Sequence, residues 1–485
     1  MSTVQRIAKN TAAMLIAQVL SYVVGFFWVM FTARYLGVEN YGVLSFALAF
    51  TGIFAILADL GVGTLATREI ARDKSLTAKY LINLSTIKAI SVAATFALIA
   101  LIINLMNYPQ QTITVVYLAG IALVITAFSQ ILYSIFIAYE RMEYQSLGLF
   151  LYSVAMLVGV VLAIRFELGV VGFAVLWCFA SAVVLLYCLT VYRLKFAQPQ
   201  AENATVKAGI DWSFSKSLVR AALPLLLASV FAVIAYRIDM VMLSFMKGDA
   251  AVGLYSAAYK LIESLGFIPA AFTGALFPVL SRLHISAQDS LKFAYQKSFK
   301  YLLLVGLPIA VATTLVADRI ILGIYSSGFS EAAAALRILI WATPFVFLTW
   351  LLATTLISIN RQDLMARVTF LSMVLNVIGN LLLIPKYSYT GASIATVVTG
   401  ALGFALYLYF ISRLVCRVEL HKLIVKPAIA CGVMAGSLIL LQHLNLFLVV
   451  PIAGIIYLAV LLLLKTFTKE DFDLLRQMAA RKKAG

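Results

Sequence analysis

The chain is short of charge. Of its 485 residues 12% are Asp, Glu, Lys or Arg and 63% are hydrophobic, against roughly 25% and 45–50% in soluble domains. With a mean hydropathy of +1.02, that shortage excludes an ordinary water-soluble globule and requires an integral membrane protein. Histidine is scarcer still. His284, His421 and His443 stand far apart, without the spacing of metal ligands. The four cysteines, Cys178, Cys188, Cys416 and Cys431, lie in or beside apolar runs and read as packing residues in a reduced or lipid setting. A Walker sequence is missing, which excludes a built-in ATPase. No Ser/His/Asp or Cys/His set is recognisable, and no outer loop is long enough to house soluble-type catalysis. The sequence therefore points to moving a substrate, not to an enzyme, and implies no bound cofactor and no metal.

What is present is about fourteen apolar runs of spanning length. The first, near 11–31, follows Arg6 and Lys9 and is too long for a signal-peptide core, so it reads as an uncleaved span. The second lies near 43–64, and the seventh and eighth near 221–246 and 252–279. The formal net charge is +17, but its distribution argues against nucleic acid. Of the 37 Lys and Arg, 28 fall in the segments on the side of the N-terminus, six in the opposite loops and three within spans. That is the positive-inside pattern, and it places both termini in the cytoplasm and the chain in the cell membrane as a multi-pass protein.

The densest charges in an apolar setting lie between Arg237 and Glu263. Arg237 and Asp239 precede a Lys247–Asp249 turn, and Lys260 and Glu263 follow it. At about 1.5 Å rise per residue the arms give matching depths, so Asp239 is expected opposite Lys260 and Arg237 opposite Glu263. Ionisable groups at that depth cost several kcal/mol unless paired or facing water, which makes them candidates for function. The plainer reading is a structural ion pair that locks two helices together. Tyr259, beside Lys260, is the aromatic singled out for stacking on a sugar face; belt or core is the usual place for such a ring. Asp59 and Lys88 sit at similar depth on neighbouring spans and are expected to meet, as structure or in transport. Arg34, near the end of span one, either snorkels to headgroups or faces a cavity.

An internal repeat organises the chain. Gly37, Gly42, Ser45 and Ala47 recur as Gly248, Gly253, Ser256 and Ala258, all at one offset of 211 residues. Glu140-Arg141 recurs as Asn360-Arg361, and Gly172 as Gly391. The expected organisation is an N-lobe over 1–192 (spans 1–6), a cytoplasmic linker over 193–220, a C-lobe over 221–412 (spans 7–12), and spans 13 and 14 with a basic tail over 413–485. An even number of spans gives both copies one orientation, related by an axis along the membrane normal. Pro269, Pro278, Pro308 and Pro344 interrupt spans eight to ten, so bent helices are expected in the second half.

The stretches FTARYLGVENYGVLSFALAF, DLGVGTLATREIAR, RIDMVMLSFMKGDAAVGLYSAAYKL and ALFPVLSR together resemble the polysaccharide transporter family. These are the O-antigen-type repeat-unit flippases of the multidrug/oligosaccharidyl-lipid/polysaccharide exporter superfamily. The resemblance implies an all-α fold of two six-helix lobes around a central cavity, plus two C-terminal helices, working by alternating access. It implies a polyprenyl-pyrophosphate-linked oligosaccharide as substrate and a proton or sodium gradient as drive. Other polysaccharide-assembly membrane proteins and membrane lipids are the implied partners, and nucleic acid is not. On that footing Arg237, Lys260, Tyr259 and Arg34 are candidates for the pyrophosphate or glycan, and Asp59, Lys88, Asp239 and Glu263 for ion coupling or pairing within the cavity. The alternatives are a cation-coupled multidrug exporter, a peptidoglycan-precursor flippase, and, more distantly, a polysaccharide polymerase or ligase.

Overall fold

The computed structural model describes residues 3–196 and 209–467. The middle of the expected linker, 197–208, and most of the basic tail lie outside the described residues. Within them the chain is helical, as a backbone in hydrocarbon must be when water is not there to take its hydrogen bonds. In order the helices are α1 (Thr3–Asp59), α2 (Val62–Arg72), α3 (Thr77–Leu105), α4 (Gln110–Ala138), α5 (Met142–Arg165) and α6 (Val170–Lys195), then α7 (Trp212–Lys247), α8 (Asp249–Leu265), α9 (Phe267–Ser286) and α10 (Gln288–Ile324). They are followed by α11 (Ala332–Leu339), α12 (Ala342–Ser358), α13 (Gln362–Leu414), α14 (Leu420–Leu440) and α15 (Leu446–Leu463).

Eleven helical stretches among the described residues are long and apolar enough to cross a membrane. A twelfth arises if α11 and α12, bent by 40°, form one span. Three of the eleven carry a non-helical residue inside: Gly37 in α1, Val316 in α10 and Ser388 in α13. Large apolar side chains such as Leu105, Leu440 and Phe447 are left mostly uncovered by protein, the surface that lipid wets without cost.

The second apolar run ends earlier than its hydropathy suggests. Helix α1 stops at Asp59, because Leu60 (φ 54°) and Gly61 (φ 68°) turn the backbone into the left-handed region. The next eleven residues form the short α2, which buries Val62, Leu65, Ala66 and Ile70. The expected bends in the second half are present. Val316 interrupts α10, and α11 and α12 meet at 40° just before Pro344, while Gly266 keeps helical angles and Asp249–Ser286 runs as one span. Pro344 sits in the first turn of α12, where its missing N–H costs little. Val316 lies eight residues past Pro308, so that break is not the proline's own.

The repeat is visible in backbone angles. Gly37 has φ 72° and ψ −179°, and Gly248 has φ 82° and ψ 176°, a conformation glycine adopts without the penalty of a Cβ. The corners at Glu140 and Asn360 match as well, with φ of 58° and 59°. In each, the following arginine N–H reaches back to a carbonyl five residues earlier: Arg141 to Phe136 at 2.9 Å and Arg361 to Leu356 at 2.8 Å. Each arginine also holds an acid two residues on, Glu143 and Asp363, both at 3.2 Å.

The chain divides into two compact units. One comprises Met1–Ala257, Tyr325–Phe329 and Met373–Ala392, the other Ala258–Ile324, Ser330–Ser372 and Ser393–Gly485. In the first, Ile131, Leu132, Tyr133 and Phe136 of α4 pack with Leu65 and Ile70 of α2, Leu84 of α3 and Cys188 of α6. In the second, Leu280, Tyr295, Phe299, Phe347, Leu351 and Tyr407 share one cluster. Helices α14 and α15 close a further cluster on α10, where the Tyr457 hydroxyl donates to the Leu304 carbonyl at 2.9 Å.

Candidate functional site

Two polar constellations stand out in the first unit. The first surrounds a cavity of about 460 Å³, within the range of roughly 300–1,000 Å³ usual for small-molecule sites. Small residues keep it open: Gly52, Ala55, Ala58, Ala119, Ala122 and Ala127 line it, and none carries a side chain long enough to fill the space. The polar edge is supplied by Asp59 at the end of α1, Lys88 of α3 and Gln130 of α4, and Trp177 of α6 adds an aromatic wall. Lys88 and Asp59 form the ion pair expected from their matched depth. Their exposures differ sharply, at 3% for the lysine side chain and 53% for the aspartate. The ammonium is thus sealed behind the carboxylate, and the carboxylate faces the opening. Burial of a lone cation would be costly, so Asp59 is also what permits Lys88 to lie there.

The second constellation is built around Asp239 of α7, which is 3% exposed. The Tyr255 hydroxyl donates to its Oδ2 at 2.8 Å, and the Asn380 amide donates to its Oδ1. Asn380 also donates to Asn376 Oδ1 at 3.1 Å, one turn away on α13. The other end of that amide, Asn380 Oδ1, is buried without a hydrogen-bond partner among the protein atoms. A carboxylate, two amides and a phenol gathered in a dry interior are oxygen-rich, the composition that suits a hard cation or a proton.

The pairing differs from the sequence expectation. Lys260 takes Glu263, one turn along its own helix, at 2.7 Å, and the Asp239 carboxylate takes Tyr255 and Asn380. Hydroxyl and amide donors satisfy a buried carboxylate with less side-chain ordering than a long lysine requires, and i,i+3 neighbours on a helix face meet without a partner helix. Lys260 is 47% exposed along its side chain and Tyr259 is 9% exposed, on the packed face of α8. Arg34 is exposed, three residues before the Gly37 turn. Arg237 runs alongside α1: a Cβ placed on Gly52, a cavity-lining residue, would lie 3.9 Å from Arg237 Nε. Asn376, Asn380, Gln130 and Trp177 were not singled out by sequence reasoning. The signal for the first two was available, since VLNVIGN puts two asparagines four apart on one helix face inside an apolar run, where polar groups are expensive.

A family model described as "Polysaccharide biosynthesis protein" matches residues 7–284, and the model MatE matches residues 224–382. Among curated relatives, the "Probable low-salt glycan biosynthesis flippase" of Haloferax volcanii is 22% identical over 433 residues, 89% of each chain. The capsular polysaccharide biosynthesis protein CapF of Staphylococcus aureus is 19% identical over 84% of this chain and 99% of its own. Among solved structures, the lipid II flippase MurJ in an inward closed conformation superposes with a TM-score of 0.76 at 15% identity, covering 93% of this chain and 97% of that one. The likeness establishes a MurJ-like fold for an all-α, multi-pass membrane protein. With more than half of its length matched by one family model, the chain belongs to the polysaccharide biosynthesis protein family of membrane transporters.

Proposed function

We propose that this protein is a flippase that carries a polyprenyl-pyrophosphate-linked oligosaccharide across the cell membrane by alternating access, driven by a proton or sodium gradient. The observation that carries the reading is the cavity of the first unit, apolar over much of its wall with Asp59, Lys88 and Gln130 at one edge. A glycan and its pyrophosphate cannot cross hydrocarbon unaided, and a wet, charged recess inside an apolar protein shelters them while the lipid tail stays in the bilayer. Arg237, running beside the cavity wall at Gly52, is assigned to the pyrophosphate, which arginine binds well; the exposed Arg34 and Lys260 are each a separate candidate for an anionic group of the substrate. Tyr259 serves in packing. Asp239 with Asn380 and Asn376 is assigned to the coupling cation. The description of the Haloferax volcanii relative as a glycan flippase supports the substrate class.

In this reading the chain has fourteen spans: α1 counts as two across Gly37, α13 as two across Ser388, and the α11–α12 pair as one. The spans form two six-helix halves with two helices appended, and both termini are cytoplasmic. Partners are membrane lipids and other membrane proteins of polysaccharide assembly.

The test is reconstitution of the purified protein in liposomes with a fluorescent polyprenyl-pyrophosphate oligosaccharide. Glycan exposure to an added glycosidase is followed with and without an ion gradient, for wild type and Arg237→Ala. Gradient-stimulated movement, reduced in the variant, is the expected result. A second reading, a cation-coupled drug exporter, is favoured by the MatE match over residues 224–382 and by the carboxylate that Asp59 turns to the cavity. No glycolipid movement, together with export of a cationic dye, would establish it instead.

A further inference from the structure

The charge that the cavity presents bears on which sugar enters it. Its only charged lining residues among those described are Asp59 and Lys88. The lysine is sealed at 3% exposure with its ammonium committed to Asp59, and the aspartate is open at 53%. The pair is neutral as a whole, but its negative end faces the space. Around that end stands the exposed amide of Gln130, able to donate and accept; Trp177 backs the wall at 3% exposure, and the half-buried ring of Tyr152 is the aromatic open to the space. Thr126 and Ser181 hydrogen-bond each other at 3.0 Å and so offer little to a ligand. A carboxylate, a primary amide and a phenol ring are components that recognise sugar hydroxyls and the apolar face of a pyranose. The same carboxylate repels a second one; the further cation nearby, Arg237, stands behind Gly52 and outside the lining.

We propose that the cavity between α1, α3, α4 and α6 is a glycan subsite that takes an uncharged pyranose of the lipid-linked oligosaccharide and discriminates against a uronic acid. Asp59 accepts hydrogen bonds from sugar hydroxyls, Gln130 supplies a donor, and Tyr152 of α5 supports the ring face. Lys88 is a positioning residue that holds Asp59 in place from behind. This inference rests on the flippase reading and adds the sugar class to it. Discrimination by like-charge rejection is a recognised route to specificity, and here it arises from the unequal exposure of one ion pair.

The test measures binding of three short-chain polyprenyl pyrophosphates to detergent-purified full-length protein: one bare, one carrying N-acetylglucosamine and one carrying glucuronic acid. Wild type is expected to bind the N-acetylglucosamine probe about tenfold or more tighter than the glucuronate probe. The paired substitution Asp59→Asn with Lys88→Met, which removes both charges together and so avoids a stranded buried cation, is expected to bring the two within about twofold. Gln130→Ala, at an exposed position, is expected to weaken the N-acetylglucosamine probe and leave the bare one unchanged. Equal binding of both glycolipids by wild type, tighter binding of the uronate, or a preference that survives the paired substitution would overturn the subsite while leaving the flippase intact. Failure of all three lipids to bind would overturn the flippase reading and the subsite with it.

Discussion

Gly42 and Gly253 make one contact twice. A Cβ on Gly42 would stand 1.8 Å from the Asp249 carbonyl oxygen, and a Cβ on Gly253 would stand 2.0 Å from the Val38 carbonyl oxygen. Gly42 and Gly253 are equivalent at the 211-residue offset, and so are Val38 and Asp249. The two hairpins therefore cross where each lays its backbone on the glycine of the other, a local two-fold relationship. Close approach of this kind needs small residues, because dispersion contacts and not water exclusion draw helices together in lipid.

Either glycine changed to alanine must part the helices, since the obstructing atom is backbone and cannot rotate aside. We expect Gly42→Ala and Gly253→Ala each to cost about 1–3 kcal/mol, read as a lowered melting temperature in detergent. Gly25→Ala is the control. Its nearest neighbour would be Trp28 Nε1 at 3.8 Å, ordinary contact, and its melting temperature should stay close to wild type.

The unequal burial of Asp59 and Lys88 predicts an unequal response to mutation. Asp59→Asn strands a cation whose side chain is 3% exposed, a loss of about 3–5 kcal/mol when one partner of a buried pair is removed. Lys88→Met leaves a carboxylate that is half in the open and needs little compensation. The first variant should melt well below the second, and the double variant should recover most of the difference. Equal losses from both single changes would mean that the aspartate is as desolvated as the lysine.

Much of this was legible beforehand, for reasons that vary by residue. Asp59 and Lys88 were paired by counting depth along two antiparallel helices, which works because helical rise is fixed. The equivalence of Gly37 with Gly248, and of Glu140 with Asn360, was legible because special backbone angles restrict residue choice. Depth counting failed for Asp239. It ranks partners by formal charge, whereas a dry carboxylate is satisfied equally by Tyr255 and Asn380, and Asn380 lies 141 residues away in sequence. The end of α1 at Asp59 was also hidden, since Leu60 at φ 54° has no compositional signature of a turn.

Removing the centre of the Asp239 cluster separates packing from coupling. Asp239→Ala takes away the carboxylate that accepts from the buried Tyr255 hydroxyl and one of the two acceptors of the Asn380 amide, a loss of about 1–3 kcal/mol, and the melting temperature should fall. Asp239→Asn keeps the shape and an acceptor, so it should fold nearly as well. We expect it to lose gradient stimulation of transport in liposomes. A variant that folds and still responds to the gradient would move the coupling site elsewhere.

The entry to α7 gives a prediction about pH. Asp211 caps that helix: its carboxylate accepts from the Phe214 N–H at 2.9 Å and meets Lys79 at 3.2 Å. Those two contacts, the backbone donor first, hold its pKa below the ordinary 3.8. Behind it the fully buried Asn83 donates to the carbonyls of Lys79 and Gly209 and accepts from the Asp211 N–H and the Ser215 hydroxyl, so α3 and α7 are tied at one point. A carboxyl whose pKa is depressed by folding stabilises the fold fully above its unfolded value, and that contribution disappears as pH falls through the folded one. Asp211→Ala should therefore melt below wild type at neutral pH by an amount that is constant down to about pH 5 and closes below about pH 4. Asn83→Ala removes donors and acceptors that do not titrate, and its deficit should persist across the same range. A wild-type advantage over Asp211→Ala that does not change with pH would assign the cap's value to shape and not to charge.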